Sequence, residues 1–327
     1  MNTKMKGRDF LSTNDWTTEE LEMLLDVAFD LKKQKALGIP HHLLEDKTLF
    51  MLFKDKSTRT RNSTEAAMTQ LGGHAHYLTE EAVQISHGDT EKEMGIILSR
   101  YGHGIAIRDD IYLGVGHKYM TNIAKYADIP VISLESDFDH PCQMMADIMT
   151  IKEKFHGDVR GRKFVMSWAY APSYAKPLAC AQGSIMMMPR FGMDVTLAMP
   201  PEFMLQPEAL GIARQNAQEA GVKFEVTNDM DAAMEGADVV EAKSWGCFMT
   251  TRDLKESQEI AKKYTSWIMD QRRMDLAKDS AIYMHPLPAD RDYEVTNAVI
   301  DGPHSVVYDE AENRLHVQKA IMALTMA

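Results

Sequence analysis

The sequence predicts an α/β protein built from two doubly wound parallel sheets. Short apolar runs of strand length alternate with longer segments of helical spacing over all 327 residues, and this alternation is typical of parallel sheets. The length suffices for two domains. A long helical pattern ends near residue 155, before His156-Gly157-Asp158. We therefore expect a first domain at residues 1–155, a second at 156–309, and a C-terminal helix, 310–327, that packs back on the first.

The elements of the first domain follow from spacing and end signals. Leucines recur at helical spacing from Leu21 to Leu31, so we expect a helix capped by Asn14 or Asp15 and ended at Gly38-Ile39-Pro40. The other strands and helices alternate. Strands are predicted at 48–53, 74–78, 104–108 and 131–134, and helices from about 59 to 71, 90 to 101, 119 to 127 and 141 to 155.

The second domain repeats the alternation. Its short apolar runs predict strands, and the longer segments between them predict helices. The predicted strands are 164–168, 195–198, 224–226, 239–241, 282–284 and 306–308, and the predicted helices are 179–191, 207–220, 230–236, 254–263, 273–278 and 310–323.

Composition narrows the class of protein. A formal charge of −12, from 48 acidic and 36 basic residues, argues against nucleic acid or an anionic membrane as the main partner. Three scattered cysteines favour a reducing cytoplasm and fit neither a disulfide framework nor a Cys-x-x-Cys metal site. The histidines lack ligand-like spacing, so we do not expect them to bind a metal. The chain contains no signal-peptide pattern and no apolar run of transmembrane length.

The stretch Lys54-Asp55-Lys56-Ser57-Thr58-Arg59-Thr60-Arg61 organises the chain. It follows a strand and opens a helix, whose first N–H groups and dipole attract anions. Its hydroxyls and arginines are suited to phosphate. A solvated basic turn with a serine N-cap is the alternative that spacing alone leaves open.

Other chemically capable groups also follow predicted strands. Arg108 ends one strand, His140 and Gln143 come after the next, and His285-Pro286-Leu287-Pro288 follows a strand of the second domain. Ligands of open α/β sheets lie beyond the carboxyl ends of the strands. We therefore expect these groups to serve one common site.

Five motifs in this order resemble the aspartate/ornithine carbamoyltransferase superfamily over essentially the whole chain. They are Ser-Thr-Arg-Thr-Arg at 57–61, Arg108 at a strand end, His-Pro-Cys-Gln at 140–143, His-Pro-Leu-Pro at 285–288 and Glu-Asn-Arg-Leu-His at 312–316. The resemblance implies a carbamoyltransferase that moves a carbamoyl group between carbamoyl phosphate and an amino group, without metal or organic cofactor.

The resemblance also implies residue roles. The phosphate is expected to be held by Ser57, Thr58, Arg59 and Thr60, with Arg61 supporting the turn. Catalytic polarisation of the carbamoyl oxygen is expected from Thr58, Arg108 and His140. The remaining carbamoyl phosphate contacts implied are Gln143, the backbone carbonyl of Leu287, and Arg314.

The acceptor site is less closely defined by the resemblance. Lys243 and Trp245, in Glu241-Ala242-Lys243-Ser244-Trp245-Gly246, look like the branch that uses N-acylated ornithines, and His285 and Pro286 are further candidates for second-substrate binding. That branch is knotted, and residues 170–178 look like its threaded loop. Gln84 and His87 match a segment that reaches a neighbouring subunit's site in homotrimers; a polar surface loop is the alternative.

Overall, the chain most resembles a knotted subgroup associated with bacterial purine and ureide catabolism. This resemblance implies a small amino or ureido acid as second substrate, and it leaves both directions of the reaction open, including the one toward carbamoyl phosphate. The alternative is an ornithine- or N-acylornithine-type enzyme. A dehydrogenase is disfavoured because Ala169-Tyr170-Ala171-Pro172-Ser173 replaces the glycine-rich turn such a domain needs. A non-catalytic metabolite-binding relative is disfavoured because the arginines, His140 and Gln143 are all present.

Overall fold

A computed structural model describes residues 4–83, 88–173 and 175–327. The chain divides into two compact units, the first formed by Met1–Ala146 and Glu312–Ala327, the second by Asp147–Ala311. Both are α/β with a parallel sheet, as the sequence predicts. The division falls within two helices, whereas the sequence analysis drew the domain boundaries at 155 and 309.

The first unit contains a four-stranded sheet in the order β2-β1-β3-β4, with every pairing parallel. The order reverses direction between β1 and β3, which is the switch point where open α/β sheets bind ligands. The strands are β1 (Thr48–Phe53), β2 (His74–Thr79), β3 (Gly104–Asp109) and β4 (Val131–Ser136), and the helices are α1 (Thr18–Ala36), α2 (Arg59–Gln70), α3 (Glu91–Tyr101), α4 (Gly116–Ala124) and α5 (Pro141–Lys154).

The second unit contains a five-stranded parallel sheet in the order β7-β6-β5-β8-β9. Its switch point lies between β5 and β8. The strands are β5 (Lys163–Trp168), β6 (Asp194–Ala198), β7 (Phe224–Thr227), β8 (Val239–Lys243) and β9 (Ile282–Met284), and the helices are α6 (Ala179–Met187), α7 (Pro207–Ala220), α8 (Met230–Met234), α9 (Leu254–Ala261), α10 (Gln271–Met274) and α11 (Asn297–Ile300). The last helix, α12 (Val307–Met326), begins in the second unit and belongs to the first unit from Glu312 onward.

Two details of the predicted elements were wrong. The cap of α1 is Thr17, which forms a reciprocal capping box with Glu20, so Asn14 and Asp15 belong to a preceding 3-10 turn. The predicted strand at 306–308 is instead the start of α12. Asp309 and Glu310 lie in the first turn of that helix, where negative charge complements the helix dipole.

The described residues contain no helix long and apolar enough to cross a membrane. The loop expected to form a knot, residues 170–178, includes Tyr174, which lies outside the described residues. The knot therefore stays a prediction.

Candidate active site

The turn Ser57–Arg61, called here the phosphate turn, lies at the carboxyl end of β1 and opens α2. The N-cap residue is Thr58 rather than Ser57. The side chain of Thr58 does not cap α2, and the N-terminus of a helix attracts anions in general. Thr60 is buried, while Ser57 and Arg59 are half-buried.

Arg61 is held at the side of this turn. Its guanidinium carbon lies 3.6 Å from the centroid of the Tyr77 ring, and its Nε lies 3.8 Å from Glu65 one turn along α2. A stacked guanidinium is restrained in orientation. This arrangement fits the supporting role expected of Arg61.

Arg314, on α12, joins two elements of the first unit. Its Nη2 donates to Thr60 Oγ1 at 2.7 Å, and its Nη1 donates to Gln143 Oε1 at 2.5 Å. The planar fork of a guanidinium makes such a double contact specific. The structure therefore brings three of the expected carbamoyl phosphate ligands together.

Arg108 lies at the end of β3, where its guanidinium meets two carboxylates. Nη1 lies 2.6 Å from Glu135 Oε2, and Nη2 donates to Asp110 Oδ2 at 2.9 Å. A longer contact of 3.4 Å joins Nη1 to Thr60 Oγ1. His140 Nε2 lies 3.4 Å from the same Glu135 Oε2. Two of the three groups expected to polarise the carbamoyl oxygen, Arg108 and His140, therefore lie side by side.

Asp110 titrates in an unusual range. Burial, reinforced by the negative charge of Glu135, raises its pKa to about 7, although Arg108 acts in the opposite direction. Two carboxylates on one guanidinium crowd negative charge, and a proton on one of them relieves the repulsion.

In the second unit, Lys243 ends β8 directly opposite Trp168 of β5. These two residues mark the switch point of the second sheet. Lys243 is buried, and its Nζ donates to the Ser244 carbonyl at 3.0 Å. A lysine at this position is suited to a negatively charged or carbonyl-bearing ligand.

Trp245, the next acceptor-site candidate, is packed into the unit. Its indole N–H donates to the Phe203 carbonyl at 2.8 Å, and its own carbonyl accepts the indole N–H of Trp168 at 3.0 Å. The indole N–H of Trp245 is therefore bound to the backbone of the segment that follows β6.

His285 and Leu287 form a constrained turn after β9. The Leu287 N–H donates to His285 Nδ1 at 2.9 Å, so the proton of the neutral ring is on Nε2, 3.5 Å from Glu294. Burial lowers the pKa of His285, against the opposing effect of Glu294. Leu287 has a φ of 54°, a conformation that costs a leucine about 1–2 kcal/mol. Pro286 is buried beside it.

Glu294 connects the loops that follow three strands of the second sheet. Its Oε1 accepts the Ser244 N–H at 2.6 Å, and its Oε2 accepts Lys176 Nζ at 2.5 Å and the Asp290 N–H at 2.6 Å. The side chain is fully buried. Burial alone raises the pKa of Glu294, yet the net direction is downward because His285, Lys176 and Lys243 stabilise the carboxylate.

Sequence reasoning missed Glu135, Asp110, Lys176 and Glu294. Glu135 was missed because the predicted strand ended one residue earlier, at 134, while β4 extends to Ser136. The available signal was a charged residue at the carboxyl end of a strand. Glu294 lies in a loop and carries no such signal.

Three further residues from the sequence motifs and loops are Gln84, His87 and Cys142. Gln84 and His87 lie outside the described residues. The Cys142 thiol is buried and contacts the Ser133 carbonyl at 3.4 Å, and burial raises its pKa to about 12, which is unsuited to a nucleophile. Within the described residues, no group of three or more His, Cys, Asp or Glu side chains is arranged to hold a metal ion.

Fold and site together define a two-unit α/β enzyme with an anion site at the switch point of its first sheet. Two family models match this chain: the carbamoyl-phosphate-binding domain of aspartate/ornithine carbamoyltransferases at residues 8–153, and the aspartate/ornithine-binding domain at residues 180–325. The chain therefore belongs to the aspartate/ornithine carbamoyltransferase family, and it is a carbamoyltransferase.

Individual relatives include both ornithine and N-acetylornithine enzymes. The chain is 41% identical to ornithine carbamoyltransferase of Pyrococcus abyssi, over 100% of this chain and 98% of the relative. It is 38% identical to N-acetylornithine carbamoyltransferase of Xanthomonas campestris, over 98% of each. Among solved structures, ornithine carbamoyltransferase from Pyrococcus furiosus aligns with a TM-score of 0.89 at 40% identity, covering 99% of this chain and 98% of that one.

A second solved structure carries a ligand. Acetylornithine transcarbamylase complexed with acetylcitrulline aligns with a TM-score of 0.89 at 35% identity, covering 98% of this chain and 99% of that one.

Proposed function

We propose that the chain transfers a carbamoyl group between carbamoyl phosphate and the amino group of a small amino or ureido acid. The observation that carries this proposal is the grouping of Thr60, Gln143 and Arg314 through two hydrogen bonds, beside Arg108. These groups, with the N-terminus of α2, are proposed to bind a phosphate anion in an otherwise acidic protein.

The proposed chemistry needs no protein nucleophile. A neutral amine attacks the carbamoyl carbon, negative charge develops on the carbonyl oxygen, and phosphate leaves. Arg108, His140 and Thr58 stabilise the charge on that oxygen, and such donors contribute about 2.7–4 kcal/mol each when fixed in advance. Ser57, Thr58, Arg59 and Thr60 bind the leaving phosphate, with Arg61 supporting the turn.

We assign the remaining carbamoyl contacts to Gln143, Arg314 and the backbone carbonyl of Leu287. The carbonyl is supported in this role by the left-handed conformation of Leu287, which is fixed by the hydrogen bond to His285. A backbone carbonyl held in this way is an acceptor of defined direction for the carbamoyl amino group.

The second unit is proposed to bind the acceptor. Lys243 provides a positive charge at the switch point of its sheet, and Trp245, His285 and Pro286 shape the surrounding loops. Glu294 fixes these loops through Ser244, Lys176 and Asp290. An acceptor with a carboxylate or a carbonyl complements Lys243.

We further propose that the second substrate is a small amino or ureido acid and that the reaction runs in the catabolic direction, in which the ureido compound gives its carbamoyl group to phosphate and carbamoyl phosphate is formed. The support is the resemblance of the chain to the knotted subgroup linked to purine and ureide breakdown. Ornithine and N-acetylornithine are the second candidates, because relatives that act on them are 41% and 38% identical to this chain.

We also propose a homotrimer with shared active sites, with Gln84 and His87 contributing to a neighbouring subunit. Light scattering of the full chain tests the assembly, with a monomer as the contradicting result. Mixing an Arg59→Ala variant with a His87→Ala variant tests the sharing, because mixed trimers then regain activity at some sites.

The test of function is carbamoyl transfer followed in both directions. The acceptors are ornithine, N-acetylornithine, N-succinylornithine, putrescine, aspartate and diaminopropionate, with the ureido derivatives for the reverse reaction. Turnover of one member supports the proposal and identifies the acceptor class. If every member fails and carbamoyl phosphate gives no protection against heat, the proposed function is wrong.

A further inference from the structure

One oxygen in the first unit lies close to two of the three groups assigned to the carbamoyl oxygen. Glu135 Oε2 lies 2.6 Å from Arg108 Nη1 and 3.4 Å from His140 Nε2. An oxyanion site is recognised by donors that converge on one point about 2.7–3.1 Å away. Here a carboxylate oxygen of the protein takes that position for Arg108 Nη1, with His140 Nε2 somewhat farther away, at 3.4 Å.

The arrangement is built into the sheet. Regular pairing of β3 with β4 sets Ile105 opposite Val131 and Ile107 opposite Ser133, but a bulge between Ile107 and Arg108 shifts the register, so that Arg108 faces Glu135. Residues paired across neighbouring strands project from the same face. The bulge therefore directs the two side chains toward each other, as bulges near active sites commonly do.

Two carboxylates already face the Arg108 guanidinium, and their negative charge disfavours the binding of an anionic substrate next to it. Glu135 and Asp110 both contact the Arg108 guanidinium, and both are buried. The pKa of Asp110, raised to about 7 by burial and then by Glu135, reflects this crowding. Arg108 Nη1 and His140 Nε2 cannot both donate to a substrate carbonyl oxygen at this point while Glu135 Oε2 keeps both contacts.

We propose that Glu135 is an internal competitor of the substrate, whose carboxylate occupies the place of the carbamoyl oxygen and is displaced when carbamoyl phosphate binds. This inference rests on the proposed function and deepens it. In this proposal, the Glu135 carboxylate keeps Arg108 and His140 together when the substrate is absent. Carbamoyl phosphate must displace the carboxylate from these two groups, and this displacement lowers the affinity for carbamoyl phosphate.

The test compares two probes that differ in the carbonyl group. Inorganic phosphate requires only the phosphate turn, whereas phosphonoacetamide, a stable phosphonate amide, also requires the donors at Arg108 and His140. Glu135→Gln weakens the internal contact and should tighten phosphonoacetamide about tenfold, the value of one hydrogen bond to a charged group. Phosphate affinity should change less than twofold. Isothermal titration measures both.

Asp55→Asn is the matched control, because Asp55 is an exposed acid near Asp110 and accepts a hydrogen bond from the Lys56 N–H. It removes the same unit charge and should alter the affinities of both probes by one common factor. Equal tightening of phosphonoacetamide by both variants would mean that general charge, rather than displacement, explains the effect.

A second variant, Glu135→Asp, keeps the test informative if Glu135→Gln does not fold. Glu135→Asp keeps the charge but withdraws the oxygen by one methylene, so it should also tighten phosphonoacetamide relative to phosphate, by a smaller factor. Unchanged or weaker phosphonoacetamide binding in both variants, with thermal unfolding as in the wild type, overturns the inference alone. If neither probe binds any of the proteins, the proposed function fails as well.

Discussion

Arg314 Nη2 donates to Thr60 Oγ1 at 2.7 Å, across 254 positions of sequence. Thr60 belongs to the first turn of α2 and Arg314 to α12, so this bond fixes the opening of the phosphate turn to the C-terminal helix. Because Nη1 of the same guanidinium binds Gln143, the contact aligns two of the expected substrate ligands.

Replacing Arg314 by Lys should therefore lower the free energy of carbamoyl phosphate binding more than it lowers the free energy of unfolding. A single ammonium group cannot reproduce the double contact of the fork. We expect the KM for carbamoyl phosphate to rise about tenfold or more, the value of one charge-assisted hydrogen bond. Steady-state kinetics measure it, with Arg291→Lys, at an exposed pair with Asp301, as control. A KM within twofold of wild type would remove Arg314 from the site.

Lys243→Ala should change acceptor binding and leave carbamoyl phosphate binding nearly intact. Lys243 lies at the carboxyl end of β8, where the acceptor is proposed to bind. The measurement is the KM for each substrate, and the acceptor KM alone should rise strongly. Lys163→Ala is the control, since Lys163 begins β5 and therefore lies at the amino ends of the parallel strands, away from the carboxyl end where Lys243 lies. An equal rise in both KM values would show that Lys243 does not select the acceptor.

Glu294→Gln should destabilise the protein at neutral pH. The change breaks the buried pair with Lys176, and losing one partner of such a pair costs about 3–5 kcal/mol. The folded-state pKa of Glu294 is lowered, so its contribution is present above the unfolded value of about 4.3 and is lost as the pH falls below it. Urea unfolding should show a difference that is full at pH 7 and shrinks below about pH 4.

The control for Glu294 is Glu259→Gln, which removes an exposed pair with Lys262. Exposed pairs contribute little, so this variant should unfold like the wild type throughout. A Glu294→Gln protein as stable as wild type at pH 7 would contradict the assigned role of that carboxylate.

Glu241→Gln should have the opposite dependence on pH. Burial raises the pKa of Glu241, and the charge of Asp147 raises it further. A raised folded-state pKa means that the stabilising contribution is complete below about pH 4.3 and is lost as the pH rises through the folded value. The variant, which does not titrate, should gain stability relative to wild type as the pH rises above about 4.3, by up to about 1.4 kcal/mol per unit of pH, until the carboxyl group of Glu241 ionises in the folded protein.

Urea unfolding at several pH values checks this prediction, with the exposed Glu219→Gln as control. A constant difference between Glu241→Gln and wild type across that range would show that Glu241 keeps an ordinary pKa in the folded protein.

The sequence predicted those features that local patterns determine. The strands around the phosphate turn and the position of Arg108 were found because apolar runs end in charged residues there. The cap of α1 was misplaced because Asn14, Asp15 and Thr17 are all capable caps, and only the reciprocal bond to Glu20 distinguishes Thr17. The start of α12 was misread because three apolar residues fit a strand or a helix equally well.

Contacts between distant residues were beyond the sequence. Glu135 meets Arg108 only because a bulge shifts the register of two strands by one residue, and hydrophobic alternation does not reveal such a shift. Glu294 joins three loops from positions far apart in the chain, and a lone glutamate in a loop has no pattern that distinguishes it from a solvated one.

The most direct measurement follows ¹³C from labelled carbamoyl phosphate into the ureido product of an accepted amino acid, with wild-type protein and with Arg59→Ala. We expect the wild type to transfer the label only when the acceptor is present. The transfer rate of Arg59→Ala should be lower by about 10²-fold or more, because one phosphate fork is removed while the fold is kept. Transfer by Arg59→Ala at the wild-type rate and affinity would contradict the assignment of the phosphate turn.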